Sequence, residues 1–162
     1  MMTNISKILE IDNCNKDILS QALYKAKFWE TINPTKKMEA NFIAPNVLYT
    51  KIYDEIDVVH IPIEMEGELV FSDKGEIEGK GRLVEFNVRN NKDVKQLEGR
   101  LRIKALSPTK TKLGVFIEKF TLSSDFLSLI GSVANFTLQN KITEMIRKVS
   151  LYCKTKDLKD FL

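Results

Sequence analysis

His60 is the only histidine in the chain. A lone imidazole cannot make a metal site, and as a general base it would need an orienting carboxylate and a substrate beside it. It shares the parity of Glu64, Glu66 and Glu68 and opposes Ile61, Ile63, Met65, Leu69 and Phe71, so strand alternation turns it to solvent. The three glutamates have the composition of an acid–base or divalent-cation cluster. On a strand, however, same-face neighbours stand ~6.6 Å apart, too far to share one proton or ion. Arg100, Arg102 and Lys104 alternate in the same way against Leu101, Ile103 and Ala105, with Lys80 and Arg82 on the strand between. The two rows are read as a solvated ladder of opposite charges, each pair contributing ~0.2–1 kcal/mol.

Arg100, Arg102, Lys104, Lys110 and Lys112 could also track phosphates. No aromatic side chains interleave with them, and the acidic row would repel a nucleic-acid backbone, so nucleic acid is not an expected partner. Cys14 and Cys153 lie near the two ends of the chain. With no base placed beside either, they are read as free thiols rather than nucleophiles. The glycines of Gly75-Glu76-Ile77-Glu78-Gly79-Lys80-Gly81 sit between strands with no helix following, so they are not a phosphate loop, and there is no G-x-S-x-G. No catalytic residue, metal ligand or cofactor follows from these motifs, and the remaining candidate for function is the apolar interior.

The chain has 162 residues, 43% hydrophobic and 29% charged, with a formal net charge of +3. These are ordinary values for a globular domain, and they exclude a disordered tail, a collagen-like repeat and a disulfide scaffold. The apolar runs are far shorter than the ~20 residues that cross a bilayer, and Met1–Asp12 has no basic, apolar, secretory pattern. A single domain over 1–162, with its core at about 5–154, soluble and cytoplasmic, is the expectation. The charge is uneven. Asp54–Glu78 holds nine acidic residues against Lys74, and Arg89–Lys112 holds eight basic ones against Asp93 and Glu98.

Ile5, Ile8, Leu9 and Ile11 form a first strand ending at Asp12-Asn13-Cys14-Asn15, where Asn13 or Asn15 can cap a helix. Ile18, Leu19, Ala22, Leu23, Ala26, Trp29 and Ile32 repeat at helical spacing, which predicts one unbroken helix up to Asn33-Pro34. The period then becomes two. Strands are expected at 37–44, 47–57, 59–72, 76–90, 94–106 and 112–123, separated by Ala44-Pro45-Asn46, Ser72-Asp73-Lys74-Gly75, Asn90-Asn91-Lys92-Asp93 and Ser107-Pro108-Thr109-Lys110. Such short connections make an antiparallel meander. Gly79 and Gly81 fall where the apolar phase changes, as at a bulge or bend. From Ser123, the residues Leu127, Ile130, Ala134, Leu138, Ile142, Met145, Val149 and Tyr152 form a second helical stripe. A helix over 124–153 would run roughly 45 Å and must lie along the sheet to bury that stripe.

This element order, with the Trp29…Asn33-Pro34 helix exit and the Gly67…Gly79…Gly81…Gly99 strand region, resembles the START-like, birch-pollen-allergen-like (SRPBCC) superfamily over nearly the whole chain. The resemblance implies an α+β helix-grip fold, about seven antiparallel strands curving around a long C-terminal helix, with an N-terminal helix after strand 1. The unbroken first helix departs from the two short helices common among such proteins. The resemblance also implies a cavity between sheet and helix for a hydrophobic, lipid-like or polyketide-like molecule. Met65, Leu69, Phe71, Phe86, Ile103, Ile130, Ala134 and Leu138 are its expected lining, with Asn135 or Thr137 as a polar anchor. The alternatives are a cyclase- or dehydratase-type enzyme, needing Tyr49, Tyr53, Glu85 or Glu118 to point inward, or a module that binds a protein partner or regulates a chaperone. Membrane insertion is not expected.

Overall fold

The computed structural model describes residues 2–56, 61–124 and 133–162. Strand β1 (Met2–Asp12) leads through α1 (Lys16–Ala22) and α2 (Ala26–Ile32) into β2 (Lys37–Ala44), β3 (Val47–Ile56), β4 (Ile61–Ile77), β5 (Gly81–Arg89), β6 (Val94–Ser107) and β7 (Lys110–Leu122). The long helix α3 (Ala134–Thr155) and a 3-10 turn (Leu158–Phe161) follow. The seven strands form one antiparallel sheet in the order β1-β7-β6-β5-β4-β3-β2. The meander is as expected, and β1 closes it by pairing with β7. His60, Leu127, Ile130 and Gly131 lie outside the described residues, as does Asp125 at the expected start of the last helix.

The first helix is two helices. Leu19 and Phe28 are both buried, but nine residues at ~3.6 per turn would set them on opposite sides of one straight helix. The chain resolves this by turning at Leu23–Lys25. Tyr24 and Lys25 donate to the carbonyls three residues back, at 3.1 and 3.0 Å, and Lys25 is extended. The Trp29 indole N–H donates to the freed Leu23 carbonyl at 2.7 Å. Upstream, the Asn15 side chain caps α1, accepting from the backbone N–H groups of Asp17 and Ile18 at 2.9 and 3.1 Å.

Two turn assignments also change. Ser72–Gly75 is a bulge within β4, where the register slips between Asp73 and Gly75 and Gly75 takes φ +75°. The reversal comes later, where the Lys80 N–H donates to the Ile77 carbonyl at 2.9 Å. The inner face of the sheet carries Phe71, Val84, Leu101, Ile103, Val115 and Ile117, all buried against the helices. α3 turns Ala134, Ile142, Ile146, Val149 and Cys153 inward. The tail is anchored by Leu158, which is buried, and by Phe161, whose ring packs edge-on against Phe28 at 5.5 Å.

Register separates the two charge rows that the sequence suggested would face each other. Glu68 lies opposite Arg89, the last residue of β5, so Glu64 and Glu66 extend past that strand and meet only β3, where Lys51 stands 3.4 Å from Glu64. Arg100 lies further along β5, opposite Glu85, and pairs with Glu118. Arg82 is on the inner face, held by Asp73 at 2.5 Å.

Candidate functional site

Between the inner sheet face and α3 lies an apolar cavity of about 300 Å³. That is roughly twice the ~150 Å³ at which an engineered protein cavity admits benzene. Its walls include Met65, Leu69, Phe71 and Phe86 from the sheet and Ala134 and Leu138 from α3. Of the other two expected lining residues, one does not line the space and one is not described. Ile103 is fully buried but is not among the residues that line the space; it stands opposite Arg82, near the β4–β5 turn. Ile130 is outside the described residues. Thr137 lines the cavity, whereas Asn135 is exposed.

The two ends of the cavity are built differently. At one end Trp29 stacks on Phe71 at 5.6 Å, and Tyr24 packs edge-on to the same ring at 6.0 Å. At the other, the strands β3 and β4 run on beyond β5, and their inner residues Ile52, Ile63 and Met65 line the cavity together with Lys141 and Met145 of α3.

One polar feature of the wall is an ion pair that sequence reasoning did not find. Asp54, on the inner face of β3, lies 3.0 Å from the ammonium group of Lys141 on α3. The Asp54 side chain is only 8% exposed and that of Lys141 24%. The Lys141 ammonium also donates to the Pro34 carbonyl at 3.2 Å, while Lys148 donates to the Asn33 carbonyl at 2.6 Å. Together they tie α3 to the chain leaving α2. In the sequence the signal was present: Asp54 has the parity of Leu48, Thr50 and Ile52, all cavity-lining, so alternation alone would have turned it inward. Tyr49, Tyr53, Glu85 and Glu118 have the opposite parity in their strands and stand on the outer face. The arrangement an enzyme on this fold would have drawn from those four is therefore not present.

Cys14 and Cys153 are the second pair brought together. Both are buried free thiols, hydrogen-bonded to each other. This contact holds Cys14 below the ordinary thiol value, against the upward push of burial, and a hydrogen bond with Thr111 adds to the lowering. The same contact, with burial, raises Cys153. The Cys14 backbone is fixed at both groups, its N–H to the Thr109 carbonyl at 2.9 Å and its carbonyl to the Thr111 hydroxyl at 2.7 Å. Among the described residues, no three His, Cys, Asp or Glu side chains are gathered as metal ligands, and no helix is long and apolar enough to cross a membrane.

A seven-stranded antiparallel sheet in this order, gripping a long C-terminal helix, matches solved structures over nearly its full length. A START superfamily protein from Mycobacterium smegmatis superposes with a TM-score of 0.64 at 15% identity, covering 93% of this chain and 97% of its own. The chain has the START-like helix-grip fold. The Zhui aromatase/cyclase from Streptomyces sp. R1128 shares it at TM-score 0.57 and 11% identity, over 92% and 94% of the two chains. So does norcoclaurine synthase from Thalictrum flavum, solved with dopamine and hydroxybenzaldehyde, at 0.55 and 14%, over 96% and 90%. By sequence the chain matches no family model and no curated protein. At these identities the likeness is one of START-like fold, and the site must be argued from this chain's own residues.

Proposed function

We propose that the protein binds or carries a hydrophobic small molecule, lipid-like or polyketide-like, in the cavity between the sheet and α3, within the cytoplasm. The observation that carries this reading is the cavity itself, about 300 Å³ with almost wholly apolar walls and one ion pair, Asp54–Lys141. Interiors are normally packed without voids much larger than a water molecule, so a space of this size, at the lower end of the range for small-molecule pockets, is a feature that packing alone does not favour. Met65, Leu69, Phe71, Phe86, Ala134 and Leu138 would contact the apolar body. A single polar group on the ligand would be oriented by Lys141, Asp54 and Thr137.

Native mass spectrometry of the purified protein, before and after organic extraction, tests this. An added mass that extraction removes is expected, together with its loss in Ala134→Phe, which fills the cavity without adding a polar group. A protein that carries no added mass and takes up neither a fatty acid nor an aromatic polyketide after extraction would overturn the reading. A second reading, an enzyme of the cyclase or dehydratase type, draws on Asp54–Lys141, an ionisable pair set in an apolar wall. Release of a chemically altered molecule on incubation would favour it over a carrier.

A further inference from the structure

The outer face of the sheet carries a second depression, a groove of about 330 Å³ between the β4–β5 turn and the strands β6, β7 and β1. Four cations line it: Lys80 from the turn, Arg102 and Lys104 from β6, and Lys112 from β7. Its floor is apolar. Phe116 lies along β7 with its ring tip where Gly114 has no side chain, so that a Cβ at Gly114 would meet that ring at 2.8 Å. Beside it stands Ile8, 52% exposed and the cross-strand partner of Gly114. A glycine within a strand commonly marks a place of close approach.

The arrangement of charge is not one that folding favours. Lys104 and Lys112 are direct cross-strand partners, and like charges directly opposed are destabilising. Elsewhere on this face cations meet carboxylates: Arg100 with Glu118, Lys119 with Glu98 at 3.6 Å, Lys110 with Asp12 at 3.8 Å. None of the four groove cations forms an ion pair among the described residues. Glu10 is the cross-strand partner of Lys112 on β1, and Glu78 precedes the turn glycine. Neither closes a salt bridge with them. The cluster is also held together by the backbone. A Cβ at Gly81 would lie 2.4 Å from the Ile103 carbonyl oxygen, so the turn rests directly on β6, and Lys104 donates to the Gly79 carbonyl at 3.0 Å.

We propose that this groove binds the phosphate group of a soluble phosphorylated organic molecule, the four cations holding the phosphate and the Ile8–Phe116 floor receiving the adjoining apolar part. Several converging cations suit a multiply charged anion, and Arg102 adds a planar fork matched to phosphate oxygens. Around the groove the same face carries Glu10, Glu78, Glu85, Glu98 and Glu118. Glu98 and Glu118 are already paired with Lys119 and Arg100, but Glu10, Glu78 and Glu85 leave negative charge beside the groove that an extended polyanion or an anionic membrane plane would have to cross and a compact phosphate would not.

Calorimetric titration of the full chain with inorganic tripolyphosphate and with ATP, alongside backbone amide spectra, tests the proposal. Saturable binding by both is expected, tighter for ATP because of its organic body and weaker as salt rises. Shifts should be concentrated at Gly79, Lys80, Arg102, Lys112 and Gly114. Lys80→Gln with Lys112→Gln, both exposed positions that leave the core untouched, should weaken binding at least tenfold. Lys119→Gln, on the same face but outside the groove, should change it less than twofold. Absence of saturable binding, shifts spread evenly over the surface lysines, or an unaffected double variant would overturn the assignment. So would retention on phosphatidylserine vesicles or on a single-stranded oligonucleotide without binding of the soluble phosphates, which would identify the face with a membrane or a polymer instead.

Discussion

The ammonium of Lys141 stands 3.0 Å from the Asp54 carboxylate and bridges α3 to β3 across the cavity wall. Removing one member leaves the other facing apolar surface. Breaking a fully buried pair costs ~3–5 kcal/mol. Here Lys141 keeps some solvent and the Pro34 carbonyl, so Asp54→Ala should cost less, about 2–3 kcal/mol. The double variant Asp54→Leu/Lys141→Met should recover most of that loss, because apolar residues of similar volume replace a buried pair at little or no cost. Urea unfolding at constant m-value reads both. A double variant no more stable than the single one would show that the pair itself, not the orphaned charge, sets the cost.

Asp73 and Arg82 join β4 to β5 on the inner face at 2.5 Å. Burial pushes the Asp73 carboxyl up, but the Arg82 guanidinium and the Gly75 N–H together pull it further down, and it sits below its ordinary 3.8. A carboxyl depressed in the folded state stabilises the fold above its unfolded value and loses that contribution as pH falls through the folded one. The protein should therefore lose stability progressively below about pH 4. Asp73→Asn should be less stable at pH 7 and show a flatter acid limb below about pH 4. An acid limb of unchanged slope in the variant would assign the transition to other carboxylates.

Much of the fold was legible in the sequence because strand and helix periods are set by which face is buried, and that face is continuous through most elements. Alternation marked β2 to β7, and the stripe from Ala134 to Val149 marked α3. The misread places are those where tertiary contact overrules local pattern. One is the break at Leu23–Lys25, which lets Leu19 and Phe28 both reach the core. Another is the bulge at Gly75, which has the composition of a turn. The cavity was legible only as an apolar inner face. Whether a core closes depends on how side chains from β3, β4 and α3 meet, and no single segment records that. Register was equally invisible. It carried Glu64 and Glu66 beyond the end of β5 and left Lys104 facing Lys112.

Gly75 and Gly81 separate two costs that are usually mixed. Both have positive φ, +75° and +80°. A Cβ at Gly75 would meet nothing within 4 Å, whereas one at Gly81 would lie 2.4 Å from the Ile103 carbonyl oxygen and 2.7 Å from the Lys104 Cα. Gly75→Ala should therefore cost only the left-handed backbone term, ~1–2 kcal/mol. Gly81→Ala should cost that and the displacement of the turn from β6, giving a clearly lower midpoint or no folded protein. Thermal unfolding of the two variants side by side measures the difference, and equal losses would contradict the close approach of the turn to β6.

Cys14, in the turn after β1, and Cys153, in the last turns of α3, hold their thiols against each other although they come from opposite ends of the chain. Both are buried, so they should react slowly with a bulky thiol reagent in the native state and rapidly in urea. A disulfide between them would close a loop of more than 100 residues. On the loop-entropy model that limits the unfolded chain by about 4–5 kcal/mol, less any strain imposed on the native turn. Refolding in oxidised glutathione should thus yield a protein two hydrogens lighter, with a higher unfolding midpoint than the dithiol form. Cys14→Ser should abolish the difference between oxidising and reducing conditions. A disulfide form with a lower midpoint would mean that the hydrogen-bonded thiol geometry cannot accept the bond without distorting the Thr109–Thr111 backbone that holds Cys14 in place.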